Sequence, residues 1–293
     1  MKDTETARPK TDFSLFSSID FPETLRRSAQ IVEKINLAFE DLVAILTEYE
    51  SYEVACDEIS RTIDLLTHLE ENTEYFKIRI GPVTSFLPRN QPLYALTCFV
   101  IVPSFLSTEV HFRIPRAAKS IFSRLLSVIQ FDDLIPNGRI SQLERLEFLR
   151  ERSAVRRNLR SGETRPVTDV VIFSGTSHHA RQLRRLFDQR TLFITNGAGH
   201  NPIVVGAGAN ITAAVEATIS VALYNQGQDC AAPNSVLVLE HFYEEFVGRL
   251  RKQVLSTKVG HYSDRDCRVG PISNPEDIKD IQEILLEPPV HRR

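Results

Sequence analysis

Strand-like runs alternate with helix-like runs along this chain, and the alternation predicts an α/β protein built on a parallel sheet. Three observations carry that expectation. Val167-Thr-Asp-Val-Val-Ile-Phe173 is a nearly unbroken apolar run, the pattern of a strand buried on both faces. Val110-His-Phe-Arg-Ile114 alternates in polarity and stops at Pro115. Between such runs, apolar residues recur every three or four positions, as on one face of a helix.

In order, the chain opens on a charged, polar stretch, and residues 1–20 read as a disordered tail. Ile31, Ile35, Phe39, Leu42, Leu46 and Tyr49 then share one helical stripe, and Ala55, Ile59, Ile63, Leu66 and Leu69 share a second. No chemistry-bearing pattern is visible in these helices. Phe76-Lys-Ile-Arg-Ile80 alternates and ends in Gly81-Pro82, which predicts a strand and a turn. Tyr94 to Leu106 predicts a buried helix, and Ala117 to Ile129 another. Leu192–Thr195 and Ile203–Val205 read as short strands, Ile211–Tyr224 as an Ala/Val-rich helix, and Ser235–Leu239 as a strand. His241–Leu255 is amphipathic, and Asn274-Pro275 opens a last helix through Ile284.

Composition narrows the function. The chain has 293 residues, 35 Lys+Arg against 38 Asp+Glu, and a net charge of −3, without the basic excess of a nucleic-acid binder. No run of 18 apolar residues suggests a membrane span, and Met1 to Asp12 lacks the apolar core of a secretory signal. Cys56, Cys98, Cys230 and Cys267 are scattered, with no CxxC pair. That pattern predicts a reducing, cytoplasmic setting and no metal site. The segment Arg145 to Arg165 is rich in arginine, but Glu144, Glu147, Glu151 and Glu163 interleave with it. A solvated helix and loop with paired charges is favoured there over a phosphate contact. Gly206-Ala-Gly208-Ala-Asn-Ile follows a strand and opens a helix, yet Ile211 stands where a dinucleotide fingerprint needs its third glycine. A tight turn is the better reading.

The informative stretch is Asn225-Gln-Gly-Gln-Asp-Cys230-Ala-Ala-Pro-Asn234, which puts a cysteine among small and polar residues between a helix and a strand. A lone cysteine is usually a small buried hydrophobe, but at such a junction a thiolate can be exposed and activated.

This stretch resembles the nucleophile segment of the aldehyde dehydrogenase superfamily, N-x-G-Q-x-C-x-A. Four further segments match in order: Pro88-Arg-Asn90-Gln-Pro92-Leu93 resembles P-W-N-x-P-L, Phe173-Ser-Gly-Thr-Ser177 resembles F-T-G-S-T, Asn196-Gly-Ala-Gly-His-Asn-Pro202 falls on E-L-G-G-K-N-P, and Lys258-Val-Gly260 with Val269-Gly-Pro271 resembles K-V-G-D-P…V-G-P. The resemblance implies a Rossmann-like dinucleotide-binding domain with N-terminal helices over residues 21–194, and a partial α/β catalytic domain over 195–293. It implies NAD or NADP as cofactor and an aldehyde or acyl substrate, and it admits a homo-oligomer; the balanced charge and the lack of an apolar span speak against nucleic-acid and membrane partners.

Residue by residue, Cys230 falls on the nucleophile that forms a thiohemiacetal and then a thioester, and Asn90 on the amide that holds the oxyanion. Ser174, Gly175 and Thr176 fall on the segment lining the cofactor. Arg113 stands one residue from the family's ribose-binding lysine position, which is Ile114 here, and a one-residue shift on a strand points to the opposite face. Asn196 occupies the position of the general-base glutamate, and an amide accepts no proton from water. The family's helix-opening glycine is Ala180, and His178, His179 and His200 read as surface or packing residues. Asn196 opens a second possibility, a coenzyme A-acylating or acyl-reducing variant. A third is a catalytically inert relative with a binding or assembly role, suggested by the missing base and by a chain that stops about 60 residues after Cys230.

Overall fold

A computed structural model of the chain describes residues 18–157, 162–197, 199–272 and 275–286. Most of the expected N-terminal tail, Arg160, the Asn274 cap and the residues after 286 lie outside that set.

Asp20 starts the first helix by accepting the Glu23 N–H at 3.0 Å, with Pro22 in the first turn. Helices α1 (Phe21–Leu37), α2 (Phe39–Leu46) and α3 (Tyr52–Thr67) follow, and their apolar stripes are the two expected from periodicity. The expected strand at 76–80 is not formed. Ile78 and Ile80 make isolated bridges to Ser18 and Ser107, and the chain pairs as a strand only at β1 (Val83–Phe86). Residues 92–106 are helical throughout, as α4 (Pro92–Leu96), a π-helical turn at Thr97–Ile101, and α5 (Val102–Leu106). The remaining elements of the first layer are β2 (Val110–Arg113), α6 (Lys119–Val128), α7 (Phe131–Leu134), β3 (Gly138–Ile140), α8 (Arg145–Arg152), a small hairpin β4 (Val155–Arg157) and β5 (Thr164–Pro166), β6 (Val170–Ser174), α9 (Ser177–Arg184) and β7 (Leu192–Asn196).

Five of these strands form a parallel sheet in the order β3-β2-β1-β6-β7. The chain runs outward from β1 in one direction and returns to β6 to run outward in the other. That is the Rossmann-like arrangement, and its switch point lies between β1 and β6. Alternation along the strands sends Val110, Phe112, Val170 and Ile172 toward the N-terminal helices and α6. Val171 and Phe173 point to the opposite face, against Leu149, Ala180 and Leu183 of α8 and α9. Both faces are therefore covered, as a parallel sheet requires.

The arginine-rich segment is only partly the solvated element expected. Arg152 is 2% exposed, because its Nε donates to Thr84 Oγ1 at 3.1 Å. Thr168 Oγ1 in turn donates to the Arg152 carbonyl at 2.8 Å and lies 2.8 Å from Thr84 Oγ1. This network satisfies a hydroxyl that would otherwise be stranded in the core strand β1.

A second, two-stranded parallel sheet pairs β8 (Pro202–Val205) with β9 (Ser235–Val238). One face packs on α10 (Ile211–Leu223) and α11 (Glu240–Ser256) through Val205, Val215, Val236 and Phe246. The other face leaves Val204 69% and Leu237 57% exposed. The turn at Gly206–Asn210 is the tight turn expected, with Gly208 at φ 77° and Asn210 capping α10 by accepting the Ala213 N–H at 3.1 Å. The last helix, α12, spans Pro275–Leu286. Among the described residues, no helix is long and apolar enough to cross a membrane, and no cluster of three or more His, Cys, Asp or Glu could hold a metal.

Two carboxyls are buried where α2 and α3 meet α4. Glu50 is 2% and Glu58 0% exposed, and Glu58 accepts the Tyr94 N–H at 2.8 Å. Burial pushes the Glu50 carboxyl well above the usual range, and the adjacent Glu58 pushes it further. Folding thus takes up a proton at Glu50. The stability this contributes is complete below the unfolded value of about 4.3 and is lost as pH rises through the raised folded value. Glu50→Gln keeps a neutral donor beside Glu58. It is expected to raise Tm at pH 7.5, by roughly 2–4 °C for each kcal/mol recovered, and to flatten the fall of Tm with pH above 4.3. Thermal melts of both proteins from pH 4 to 8 check this, and an unchanged slope counts against it.

Candidate active site

Three strand ends converge on the carboxyl edge of the five-stranded sheet. After β1 the chain turns through Leu87-Pro-Arg-Asn90-Gln91. Gln91 adopts a left-handed conformation (φ 47°, ψ 61°) before Pro92 begins α4. After β6 comes Gly175, with φ 153°, where a Cβ would lie 2.8 Å from the Phe173 ring. Thr176 then caps α9, its Oγ1 accepting the His179 N–H at 3.3 Å. Asn196 ends β7 in register with Ser174, and its carbonyl accepts the Gly175 N–H at 3.0 Å. Asn90 and the Ser174–Thr176 turn thus flank the switch point, the place where open α/β sheets bind ligands.

Arg113 sits at the end of β2, in register with Phe86 of β1. It is half-buried on the side opposite the core residue Ile114, and its Nε has no hydrogen-bond partner among the described residues. Ser174 Oγ is likewise buried without a partner. His178 and His179 are exposed on α9, bonded to Gln182 and Thr176, and His200 is exposed.

Cys230 reaches this edge from the second layer. After α10 the chain passes through Tyr224 and three consecutive left-handed residues, Asn225 (φ 46°), Gln226 (φ 56°) and Gly227 (φ 74°). Asp229 Oδ1 accepts the Ala231 N–H at 3.0 Å and closes a turn around Cys230. Asn201 Nδ2 donates to the Cys230 carbonyl at 2.8 Å, and Asn234 Oδ1 accepts the Asn201 N–H at 2.7 Å. Cys230 is exposed, whereas Cys56 and Cys98 are half-buried and Cys267 is buried.

The two loops meet directly. Asn90 Nδ2 donates to the Gln228 carbonyl at 3.0 Å, and Gln91 Nε2 donates to Asp229 Oδ2 at 3.2 Å. The thiol is accessible. Partial burial pushes it up, and the Asp229 carboxylate, by its charge and by accepting a hydrogen bond, pushes it further.

Several residues of this region carry no signal in the sequence. Gln91, 8% exposed, also accepts a hydrogen bond from Arg61 of α3 at 2.5 Å. Arg61 in turn donates to the Tyr224 hydroxyl at 2.9 Å. The N-terminal helices, in which no chemistry was visible, therefore reach the cysteine loop. Only the tertiary contact reveals this, since Arg61 and Tyr224 lie 163 positions apart.

Residues 160–288 match the model of the aldehyde dehydrogenase family. The chain is 28% identical, over 69% of its length, to a probable NADP-linked succinate-semialdehyde dehydrogenase of Sinorhizobium fredii, of which it spans 38%. The family model, the curated relatives and the solved structures all support the aldehyde dehydrogenase superfamily. Solved structures agree on the fold. HpcC from Thermus thermophilus superposes on 90% of this chain with a TM-score of 0.76 at 19% identity, with 53% of that chain covered. The glyceraldehyde-3-phosphate dehydrogenase GapN of Methanocaldococcus jannaschii, complexed with NADP, does so over 90% with a TM-score of 0.76 at 16% identity, 60% of it covered. The chain spans between a third and two thirds of the length of these relatives.

Proposed function

We propose that the chain acts as an NAD(P)-linked oxidoreductase on an aldehyde or activated acyl group, with Cys230 as nucleophile. The observation that carries this reading is the meeting of the Asn90 and Cys230 loops at the switch point, through the 3.0 Å bond from Asn90 to Gln228. A dinucleotide-binding domain up to residue 194 and a catalytic domain from residue 195 onward are part of the same reading.

The sheet edge is suited to a dinucleotide. Gly175 accepts no side chain without displacing the Phe173 ring and so keeps the turn bare, Thr176 leads into the amino terminus of α9, and Ser174 Oγ and Arg113 Nε are buried donors with no partner among the described residues. Ser174, Gly175 and Thr176 would hold the cofactor, with Arg113 at the neighbouring strand end. A nicotinamide dinucleotide bound there supplies the hydride acceptor for oxidation of the carbon attached to sulfur.

The chain's own residues supply the rest. Cys230, once deprotonated, adds its sulfur to the carbonyl carbon and forms a thiohemiacetal. The Asn90 amide, which has a second N–H beyond the one given to Gln228, and the Cys230 backbone N–H stabilise the oxyanion. Loss of hydride leaves a thioester on Cys230. Asn196 cannot take a proton from an attacking water, which favours a thiol acceptor such as coenzyme A for release of the acyl group. The four free cysteines suit a cytoplasmic site of action, and a homo-oligomer follows from the family resemblance.

Titration with NAD and with NADP is expected to raise Tm for at least one of them. With that cofactor present, added aldehyde is expected to leave a thioester adduct on Cys230, seen by intact mass and discharged by coenzyme A faster than by water. Absence of binding by both dinucleotides overturns the oxidoreductase reading and leaves the inert relative.

A further inference from the structure

Arg61 gathers the groups that border the cysteine loop. Its guanidinium lies 4.4 Å from the Tyr94 ring centroid, pairs with Asp57 at 2.9 Å, and donates to Tyr224 at 2.9 Å and to Gln91 at 2.5 Å. The Tyr224 hydroxyl also donates to Asp57 at 2.5 Å, so this anchor is closed on itself. Tyr224 precedes the loop immediately. At the other end, Gln91 passes the connection on to Asp229, the residue before Cys230. The segment between the anchors contains two non-glycine residues in left-handed conformations, Asn225 and Gln226, the first of them 3% exposed. Such backbone persists only where surrounding contacts over-determine it. Gln91 is itself left-handed, and its amide is used on both sides, Oε1 toward Arg61 and Nε2 toward Asp229.

We propose that Arg61 is the positioning residue of the Cys230 segment: through Tyr224 at one end, and through Gln91 and Asp229 at the other, it holds residues 224–229 in the turn that presents the thiol to the Asn90 loop. The inference rests on the reading of Cys230 as nucleophile. An arginine suits the task because its planar fork reaches several acceptors at once, which a lysine ammonium does not. The arrangement also holds the Asp229 carboxylate by Gln91, and that carboxylate adds to the upward push that burial exerts on the neighbouring Cys230 thiol.

The test uses the full chain with two conservative variants. Arg61→Lys retains the charge, and Gln91→Leu retains the buried volume while leaving the Arg61–Asp57–Tyr224 contacts in place. Hydrogen–deuterium exchange read by mass spectrometry is expected to show amides 225–231 exchanging about tenfold faster in both, with β6 unchanged. The pH midpoint of Cys230 alkylation by iodoacetamide, followed on the peptide, supplies a readout that general loosening does not mimic. Gln91→Leu is expected to lower that midpoint, Asp229→Asn to lower it as well, and Gln91→Leu to add nothing in the Asp229→Asn background. Unchanged exchange at 225–231, no midpoint shift in Gln91→Leu, or an equal shift with and without Asp229 overturns the proposal. Neither measurement involves aldehyde or dinucleotide, so a failure to bind NAD(P) bears on the proposed activity and leaves this test intact.

Discussion

Cys230→Ala is expected to remove the covalent adduct entirely and to lower kcat by on the order of 10⁴- to 10⁶-fold, the scale seen when a covalent nucleophile is deleted. The size follows from the chemistry. Without sulfur there is no thiohemiacetal, and binding alone does not replace the lost bond. Asn90→Ala removes one oxyanion donor and is expected to cost less, about 10²- to 10³-fold. The order of the two effects is therefore part of the prediction. The pH dependence follows from the environment of the thiol, which burial and Asp229 push upward. Adduct formation is expected to keep rising with pH beyond about 8.5, where an ordinary cysteine is already half ionised. Intact mass after incubation with aldehyde and dinucleotide at several pH values checks all three points. An adduct of the same mass on the Cys230→Ala protein would remove Cys230 from the mechanism.

Phe112→Ala is expected to destabilise the fold by about 3–5 kcal/mol, the usual cost of emptying a fully buried phenylalanine site. Phe112 is 0% exposed on β2, inside the main core, with the Phe131 ring edge-on at 5.5 Å. It belongs to the core cluster shared by the sheet with the N-terminal helices and α6, and such a close-packed interior does not close the space by local movement. A fall in Tm of roughly 10 °C is expected at that cost. Leu37, 76% exposed at the end of α1, is the control, and Leu37→Ala is expected to change stability by less than about 0.5 kcal/mol. Urea or thermal unfolding of both variants checks the contrast. Equal effects would mean that β2 is not the buried inner strand described above.

Strands whose burial is uniform were readable from the chain, and strands whose core faces carry polar groups were not. Val110–Ile114 alternates cleanly because one face meets apolar helices, so β2 was expected within a residue of where it forms. In β1, Thr84 and Ser85 occupy buried positions, each 0% exposed. Nothing local marks Val-Thr-Ser-Phe as an inner strand. Thr84 is tolerated because Arg152, 68 positions away, and Thr168, 84 positions away, bond its hydroxyl. The alternating run at 76–80 reads better as a strand, yet it pairs only through isolated bridges. The short β3, three residues with Arg139 exposed at its centre, lacks any period to detect.

The candidate site divides along the same line. Cys230, Asn90, Asn196 and the Ser174–Thr176 turn stand in short motifs, because the groups that would touch substrate or cofactor lie next to the backbone turns that present them. What holds them was invisible. Arg61 and Asp57 sit on a helix whose sequence reads as ordinary amphipathic surface, and Gln91 reads as a loop residue.

By itself, then, the sequence pointed to the α/β class, and its short motifs carried the family resemblance and the candidate site residues, since periodicity and motif spacing are properties of neighbouring residues. Only the tertiary structure decided that β1 is an inner strand, that Arg152 is buried, and that Arg61 joins the N-terminal helices to the cysteine loop. Each of those outcomes is a polar group meeting its partner across a long sequence separation. Desolvation makes such pairing obligatory in the folded protein, while no local pattern records which partner it will be.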